Sequence, residues 1–161
     1  MTMIFLLALL LVCPPAGNSR YPAEVALNVL KNRSVAPTRV MEVTFVQMLA
    51  AQTPYARIPR AIKLTGFVVR VSLAGPESCN CMSATERDWH VVLADHNGEA
   101  DPRRWVFCEI TPRMPMPVPS DLVGKRVTVQ GWSFCDYQHV SAPWRGTMWE
   151  IHPITGMVVL E

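Results

Sequence analysis

The sequence lacks the motifs from which an activity is usually recognised. It contains no Gly-x-Ser-x-Gly, no phosphate-binding loop, no His-Glu-x-x-His and no dinucleotide fingerprint. Internal repeats and long low-complexity stretches are also missing, which excludes a repeat array. Only 17% of the 161 residues are charged while 50% are hydrophobic, a composition that excludes a disordered chain. We therefore expect one globular domain, and no motif in the sequence indicates its activity.

A long hydrophobic run is missing as well. The apolar stretch at residues 3–12 has about half the roughly 20 residues that a membrane-spanning helix needs, but it has the length of a signal-peptide core. No Lys or Arg precedes it, and no clean Ala-x-Ala cleavage site follows it. We predict a signal peptide or N-terminal anchor over residues 1–23, and hence a protein exported to the periplasm or secreted. A lipoprotein site at Cys13 and a buried N-terminal helix are the alternatives.

Positive charge is scarce where the main domain is expected. Residues 31–70 carry seven basic side chains and one acid, whereas residues 71–161 carry seven basic and eleven acidic ones. Nucleic-acid surfaces need clustered Lys and Arg, so the mildly acidic segment 71–161 argues against such a partner. The basic segment is expected either to lie across the acidic body or to face an anionic lipid or polymer.

The pattern of hydrophobic residues changes from helical to alternating near residue 61. Residues 24–42 have no sustained period and are predicted to be a linker with a short helix at 23–31, and apolar residues at helical spacing predict a second helix over 42–52. Alternation then predicts five strands, at residues 61–73, 88–94, 104–111, 125–134 and 147–152, the last resuming at 156–160. The predicted fold class is all-β: a five-stranded OB-type barrel with a short N-terminal helix, spanning residues 43–161.

Three short motifs carry a family resemblance. They are the strand 64–68 (Leu-Thr-Gly-Phe-Val), the hairpin 95–98 (Asp-His-Asn-Gly) and the segment 121–131 (Asp-Leu-Val-Gly-Lys-Arg-Val-Thr-Val-Gln-Gly). With them, residues 43–160 resemble small exported bacterial OB-fold proteins of the BOF-like kind. The resemblance implies an exported OB barrel. The Cys79-Asn-Cys81 loop and the proline-rich connection at 112–119 depart from the pattern, so no family activity is carried over.

The cysteines are few but even in number once the predicted leader is set aside. Cys79, Cys81, Cys108 and Cys135 remain, as in the disulfide frameworks of exported domains. Cys79 and Cys81 are too close in sequence to pair easily with each other, so each is expected to pair with Cys108 or Cys135. A four-cysteine zinc site and free thiols are the alternatives.

Two predicted strands share one pattern, Asp88-x-His90 and Glu150-x-His152. Residues two apart in a strand point to the same face, so each strand presents a carboxylate beside an imidazole. If the strands come together, these groups could bind a divalent metal, and a bound water could then be activated for hydrolysis. Glu109 and His139 are further candidate ligands. Hydrogen-bonded pairs that only fix the strands are the alternative.

Two tryptophans are candidates for ligand stacking. Trp132 and Trp144 are expected to be more exposed than the other tryptophans, and OB barrels bind single strands or sugars on exposed aromatic rings. Their packing in the core or in loops is the alternative. The predicted binding surface is the barrel face around the second, third and fifth strands, roofed by the Cys79–Cys81 loop and Trp144.

The functional expectation is an exported binding or structural module for a small ligand or a protein. We assign no catalytic residue and expect no cofactor. A divalent metal ion is the one cofactor that the chain could bind. A metal-dependent hydrolase, for example of phosphodiesters, is one alternative, and an oligonucleotide or oligosaccharide binder is another. We expect no membrane-spanning segment beyond the N-terminal anchor.

Overall fold

The chain folds into a β-barrel with two helices outside it. A computed structural model describes residues 13–118, 121–140 and 142–160. The helices are α1 (Pro22–Lys31) and α2 (Phe45–Ala50). The strands are β1 (Met41–Glu42), β2 (Ala61–Leu73), β3 (Trp89–Ala94), β4 (Val106–Ile110), β5 (Arg126–Cys135) and β6 (Trp149–Val159). Three short 3₁₀ turns lie at Ser78–Asn80, Pro102–Arg104 and Tyr137–His139.

The strands follow the order β1-β2-β3-β4-β6-β5, and β5 pairs back with β2 to close the barrel. β4 and β6 run parallel, whereas the other barrel pairs are antiparallel. Five strands joined in this order make a closed barrel of the OB type. The fold class predicted from the sequence is therefore confirmed, with β1 added as a short parallel edge of β2.

The first barrel strand forms because its apolar side chains alternate. Ile62, Leu64 and Val68 of β2 point into the core and are at most 1% exposed. A register shift between Val68 and Arg70 lets the long strand bend and pair with both β3 and β5. The predicted limits of this strand are those observed.

The short helix α2 closes one end of the barrel. It begins at Phe45, three residues later than predicted, through a capping box in which the side chains of Thr44 and Gln47 each accept from the other residue's backbone N–H. Its buried residues Phe45 and Met48 belong to the core. The helix ends at Ala50, a little earlier than the sequence predicts.

Gly66 of β2 is required by the approach of α2. A Cβ added there would lie 2.6 Å from the Phe45 ring and 2.7 Å from the carbonyl oxygen of Ala94. We expect Gly66→Ala to lower the free energy of unfolding by about 1–3 kcal/mol, since extra atoms in a packed core force shifts of this cost. Urea unfolding measures the effect. The control is Gly75→Ala, where nothing lies within 4 Å of the added Cβ. Equal stabilities of the two variants would show that this contact does not constrain the core.

The last strand differs from its prediction. The sequence predicts an interruption at Pro153, but β6 runs continuously from Trp149 to Val159 and contains a cis His152–Pro153 bond. Its pairing with β5 is irregular on both sides of Gly131. A Cβ at Gly131 would lie 2.2 Å from the Pro153 carbonyl oxygen, so this glycine lets the two backbones pass closely and keeps the strand whole.

The N-terminal segment covers one outer wall of the barrel. Helix α1, expected inside the linker, packs against the Ser78–Asn80 turn and β6. Asn32 Nδ2 donates to the Cys79 carbonyl oxygen (2.7 Å), and Asn28 Nδ2 donates to that of Ala16 (3.0 Å). We call residues 13–32 together with residues 76–83 the cap. The apolar run at residues 3–12 lies outside the described residues.

Among the residues that the structure describes, no helix combines the length and the apolar character needed to cross a membrane.

A disulfide holds the two parts of the cap together. Cys13 pairs with Cys81, while Cys79, Cys108 and Cys135 have free thiols. The expected pairing of Cys79 and Cys81 with Cys108 and Cys135 is therefore wrong. Cys13 lies within the predicted leader and so is not among the cysteines predicted to pair, and Cys108 points into the barrel core, where the cap cannot reach it.

Candidate functional site

Four of the predicted site residues meet under the cap. Asp88 directly precedes β3, Glu109 lies on β4, and Glu150 and His152 lie on β6. In the sheet, β4 separates β3 from β6 and so joins the two Asp/Glu-x-His patterns. Their neighbours Val91, Cys108 and Ile151 point inward, so these four point outward, toward the cap. All four are at most 3% exposed, and we call them the buried cluster.

His152 is the centre of the buried cluster. Its Nε2 lies 3.5 Å from Asp88 Oδ2, and its Nδ1 lies 3.2 Å from both Glu109 Oε2 and Glu150 Oε1. The partly exposed His90 is directly opposite Glu109 in the sheet, with its Nε2 3.3 Å from Glu109 Oε1. The two patterns, whose meeting the sequence leaves conditional on strand placement, thus come together through Glu109.

The cap supplies polar partners at one side of the buried cluster. Asn80 Nδ2 donates to Asp88 Oδ1 at 2.9 Å. Lys31, at the end of α1, is buried, and its Nζ lies 2.8 Å from Glu77 Oε2. Sequence reasoning missed both residues. No local pattern distinguishes a helix-terminal Lys that turns inward from one that faces solvent.

Arg145 bounds the opposite side. It is buried, with its Nη2 3.2 Å from Glu150 Oε2 and its Nη1 3.3 Å from Asp136 Oδ2. His139 Nδ1 lies 2.6 Å from the same Asp136 oxygen. The candidate His139 is therefore connected to the buried cluster through Asp136 and Arg145 and does not contact His152.

Burial and mutual charge shift the pKa values in the buried cluster in opposite directions. Burial opposes protonation of His152, but the charge of Glu109, the hydrogen bond to Glu150 and the charge of Asp88 outweigh it and raise the pKa of His152 to about 9. Burial raises the pKa of Asp88 to about 6. Burial would also raise the pKa of Glu109, but the neighbouring His152 and His90 hold it well below its usual range. Positive charge inside the buried cluster is thus strongly favoured.

Within the part of the chain that the structure describes, three atoms of the buried cluster form no hydrogen bond, although both carboxylate oxygens lie within 3.5 Å of the His152 ring. They are Asp88 Oδ2, Glu109 Oε2 and His152 Nε2. Unsatisfied polar atoms at such depth are costly, and in native proteins they are explained by an ordered water, a bound ion or functional strain. These three residues also present ligand atoms within 4.8 Å of one another. Carboxylate oxygens with an imidazole nitrogen are a donor set that Zn²⁺ and Mn²⁺ accept.

Other acidic groupings are less suited to a metal. Glu77 is near His90 and Glu109, and also near Cys79 and Asp88, but its carboxylate already bonds Lys31. On the surface, Asp95 and Glu99 with His96 form a further set. There Arg104 occupies both carboxylates, at 2.7 and 2.8 Å.

The two candidate tryptophans lie in different places. Trp144 is 38% exposed and contacts Phe107 and His139 edge-on, with ring centroids 5.3 and 5.1 Å apart, so it roofs the region beside Arg145. Trp132 is half-buried on β5, and its Nε1 donates to the Val35 carbonyl oxygen (2.9 Å). The expectation that these two are the more exposed tryptophans is wrong for Trp132, because Trp89 at the start of β3 is 37% exposed and Trp132 is less exposed than that. That both stack on a ligand stays a prediction.

Strand order and site together define an OB-type barrel that carries an ionic cluster beneath a disulfide-held cap. No family model matches the sequence, and no curated protein matches it. Among solved structures, the chain is similar to one described as the crystal structure of yeast Stn1 and Ten1, with 14% identity and a TM-score of 0.46. The match covers 77% of this chain and 64% of that chain, so this chain spans less than two thirds of its length.

Proposed function

We propose that the protein is an exported OB-fold binding module that holds one divalent transition-metal ion between Asp88, Glu109 and His152. The observation that carries the proposal is the convergence of three ligand atoms at the centre of the buried cluster, none of which forms a hydrogen bond within the described residues. Each comes from a different strand region, so the barrel wall preorganises them without a flexible loop.

The charges around the buried cluster favour a cation. Two permanent cations, Lys31 and Arg145, face five carboxylates, an excess of three negative charges when the imidazoles are neutral. The carboxylates are Glu77, Asp88, Glu109, Asp136 and Glu150. A divalent ion would offset two of these three charges. Because the pKa of His152 is raised to about 9, the ion would have to displace a proton from His152 to take it as a neutral ligand.

We propose metal binding at this site but no hydrolysis. Asp88, Glu150 and His152 are at most 1% exposed, so a substrate could reach a metal there only if the cap opened. An ion held by Asp88 would instead join the cap, through Asn80, to β4 and β6. Its role is then to fix the cap on the barrel wall.

Export is supported by the Cys13–Cys81 disulfide, because such bonds persist in oxidising compartments and are rare in the cytosol. Export with this disulfide intact requires that the mature chain keep Cys13. We therefore propose that the leader ends before residue 13 or remains as an anchor, rather than extending to residue 23.

The test is metal content per chain, by elemental mass spectrometry, on protein purified without chelators or metal-affinity steps. We expect about one zinc or manganese ion per wild-type chain and a large loss in Asp88→Asn, which is nearly isosteric but a poor ligand. Restoring metal to chelated protein should raise the melting temperature, since a ligand at about 100 times its Kd adds roughly 2.7 kcal/mol.

Two further variants distinguish the three proposed ligands from the groups beside them. Glu150→Gln removes the same charge from the buried cluster but none of the three ligands, so it should retain most of the metal. Cys79→Ser tests the neighbouring Glu77, Cys79 and Asp88 set. Wild-type protein without metal would overturn the proposal, and so would metal that survives Asp88→Asn but is lost with Cys79→Ser. Circular dichroism confirms that each variant is folded.

A further inference from the structure

A second surface, independent of the metal proposal, lies on the basic segment between the two helices and β2. Two adjoining grooves of about 370 and 380 Å³ share Met41 and Pro59 in their walls. The first is also lined by Arg57, and the second by Arg39, Arg60 and Trp132. Arg33 and Val35 lie beside the second groove, because the Arg33 guanidinium stacks on the Trp132 ring and the Val35 carbonyl oxygen accepts a hydrogen bond from Trp132 Nε1. The surface, which we call the basic groove, consists of Arg33, Val35, Arg39, Met41, Arg57, Arg60 and Trp132.

No acidic side chain of residues 13–118, 121–140 or 142–160 forms an ion pair with an arginine of the basic groove. The one acid of the segment, Glu42, pairs with Lys63 at 3.2 Å. Four uncompensated guanidinium groups on one face are complementary to a surface of phosphate groups.

Two of these arginines stack on the ring of Trp132. The guanidinium carbon of Arg33 lies 4.7 Å from the ring centroid of Trp132, and that of Arg60 lies 5.4 Å from it. Burial and the charge of Arg60 together lower the pKa of Arg33. Arg33 Nη1 is buried without a hydrogen-bond partner. An anion in the groove would accept that hydrogen bond and relieve the repulsion.

The exposed apolar side chains indicate what kind of anion fits. Val35 is 71% exposed and Met41 is 60% exposed, although each stands among arginines. A phosphate polymer would leave these side chains in water. At a bilayer surface they would enter the boundary between headgroups and acyl chains while the arginines met the headgroups, which is how interfacial proteins bind.

We propose that the basic groove docks the protein on a bilayer containing anionic phospholipid. The arginines contact lipid phosphates, and Val35 and Met41 insert beneath them. The metal site lies elsewhere, on the wall covered by the cap, so either proposal can fail without the other.

The test is binding of the full chain to phosphatidylcholine vesicles with and without about one third phosphatidylglycerol, followed by co-sedimentation. Binding should require the anionic lipid and weaken with salt. Insertion by the apolar residues 3–12 would instead occur equally on neutral vesicles. Arg39→Gln with Arg57→Gln should lower the partition coefficient about 25-fold, since each basic residue near such a surface contributes roughly fivefold.

The matched control is Arg20→Gln with Arg126→Gln, an identical change of charge outside the basic groove, for which we expect less than a threefold effect. Equal losses in the two double variants would overturn the proposal, because net charge alone would then explain binding. A third variant, Val35→Ser with Met41→Ser, keeps every charge and should weaken vesicle binding about tenfold or more.

A single-stranded oligonucleotide and inorganic phosphate are tested in parallel. Binding of the oligonucleotide by a protein that does not bind anionic vesicles would overturn the proposal in favour of a polymer site. Binding of inorganic phosphate with full retention of vesicle binding in the Val35 and Met41 variant would likewise contradict insertion. All positions changed are exposed, so melting curves should match that of the wild type.

Discussion

Replacing Arg145 by Met should lower the free energy of unfolding by about 3–5 kcal/mol. The guanidinium is buried and forks between Asp136 and Glu150, which are themselves at most 3% exposed. Removing one partner of a buried ion pair leaves an uncompensated charge in a medium that solvates it poorly, and losses of this size are typical. Arg145 also packs on the rings of Phe107 and Trp144, with 4.8 and 4.7 Å to their centroids, contacts that Met retains only in part.

Urea unfolding monitored by tryptophan fluorescence measures this effect. The control is Arg103→Met, which breaks the ion pair between Asp101 and the 82% exposed Arg103 side chain. Its free energy of unfolding should stay within about 1 kcal/mol of that of the wild type. Adding Glu150→Gln to Arg145→Met should recover part of the loss, because one stranded carboxylate is then neutral. A loss below 1 kcal/mol for Arg145→Met would show that the carboxylates find another partner.

Removing the disulfide by changing Cys13 and Cys81 to Ser should cost about 4 kcal/mol. The bond closes a loop between residues 68 apart in sequence, and a cross-link of that length restricts the unfolded chain strongly. It also fastens the first residues of the cap to the turn that carries Asn80, so its loss should loosen the cover over the buried cluster.

Unfolding midpoints of the wild type with and without reductant, compared with those of the double variant, measure this contribution. Cys135→Ser is the matched control, because it changes a half-buried free thiol and leaves the disulfide intact. We expect the reduced wild type and the double variant to be equally destabilised. If the double variant were as stable as the oxidised wild type, the cap would be held by its hydrogen bonds alone.

Much of the barrel can be predicted from the sequence because its signals are local. The alternation of apolar residues in β2 specifies a strand with one buried face, and the Thr44 and Gln47 box specifies where α2 begins. Pro153 misled the prediction because a proline ordinarily ends a strand. Only the partner strand, with Gly131 beside it, shows how the chain continues past that proline.

The membership of the site could be predicted only in part. The two-residue period places Asp88 with His90 and Glu150 with His152 on common faces, but it does not say which strands are neighbours. Strand order brings Glu109 between the two pairs, and strand order depends on pairings between residues far apart in sequence. Lys31, Asn80 and Arg145 lie in a helix end and in loops, where no period indicates the direction of a side chain.

By itself, the sequence determined the compartment prediction, the OB-type barrel and the pairing of carboxylate with imidazole on two strands, because each follows from composition or from residues close along the chain. Only the tertiary structure decided that these groups are buried together, that Cys13 bonds Cys81, and that the arginines of the basic groove are left without acidic partners. Burial, cross-links and charge neutralisation all depend on which distant segments pack against each other, and that is a property of the folded chain as a whole.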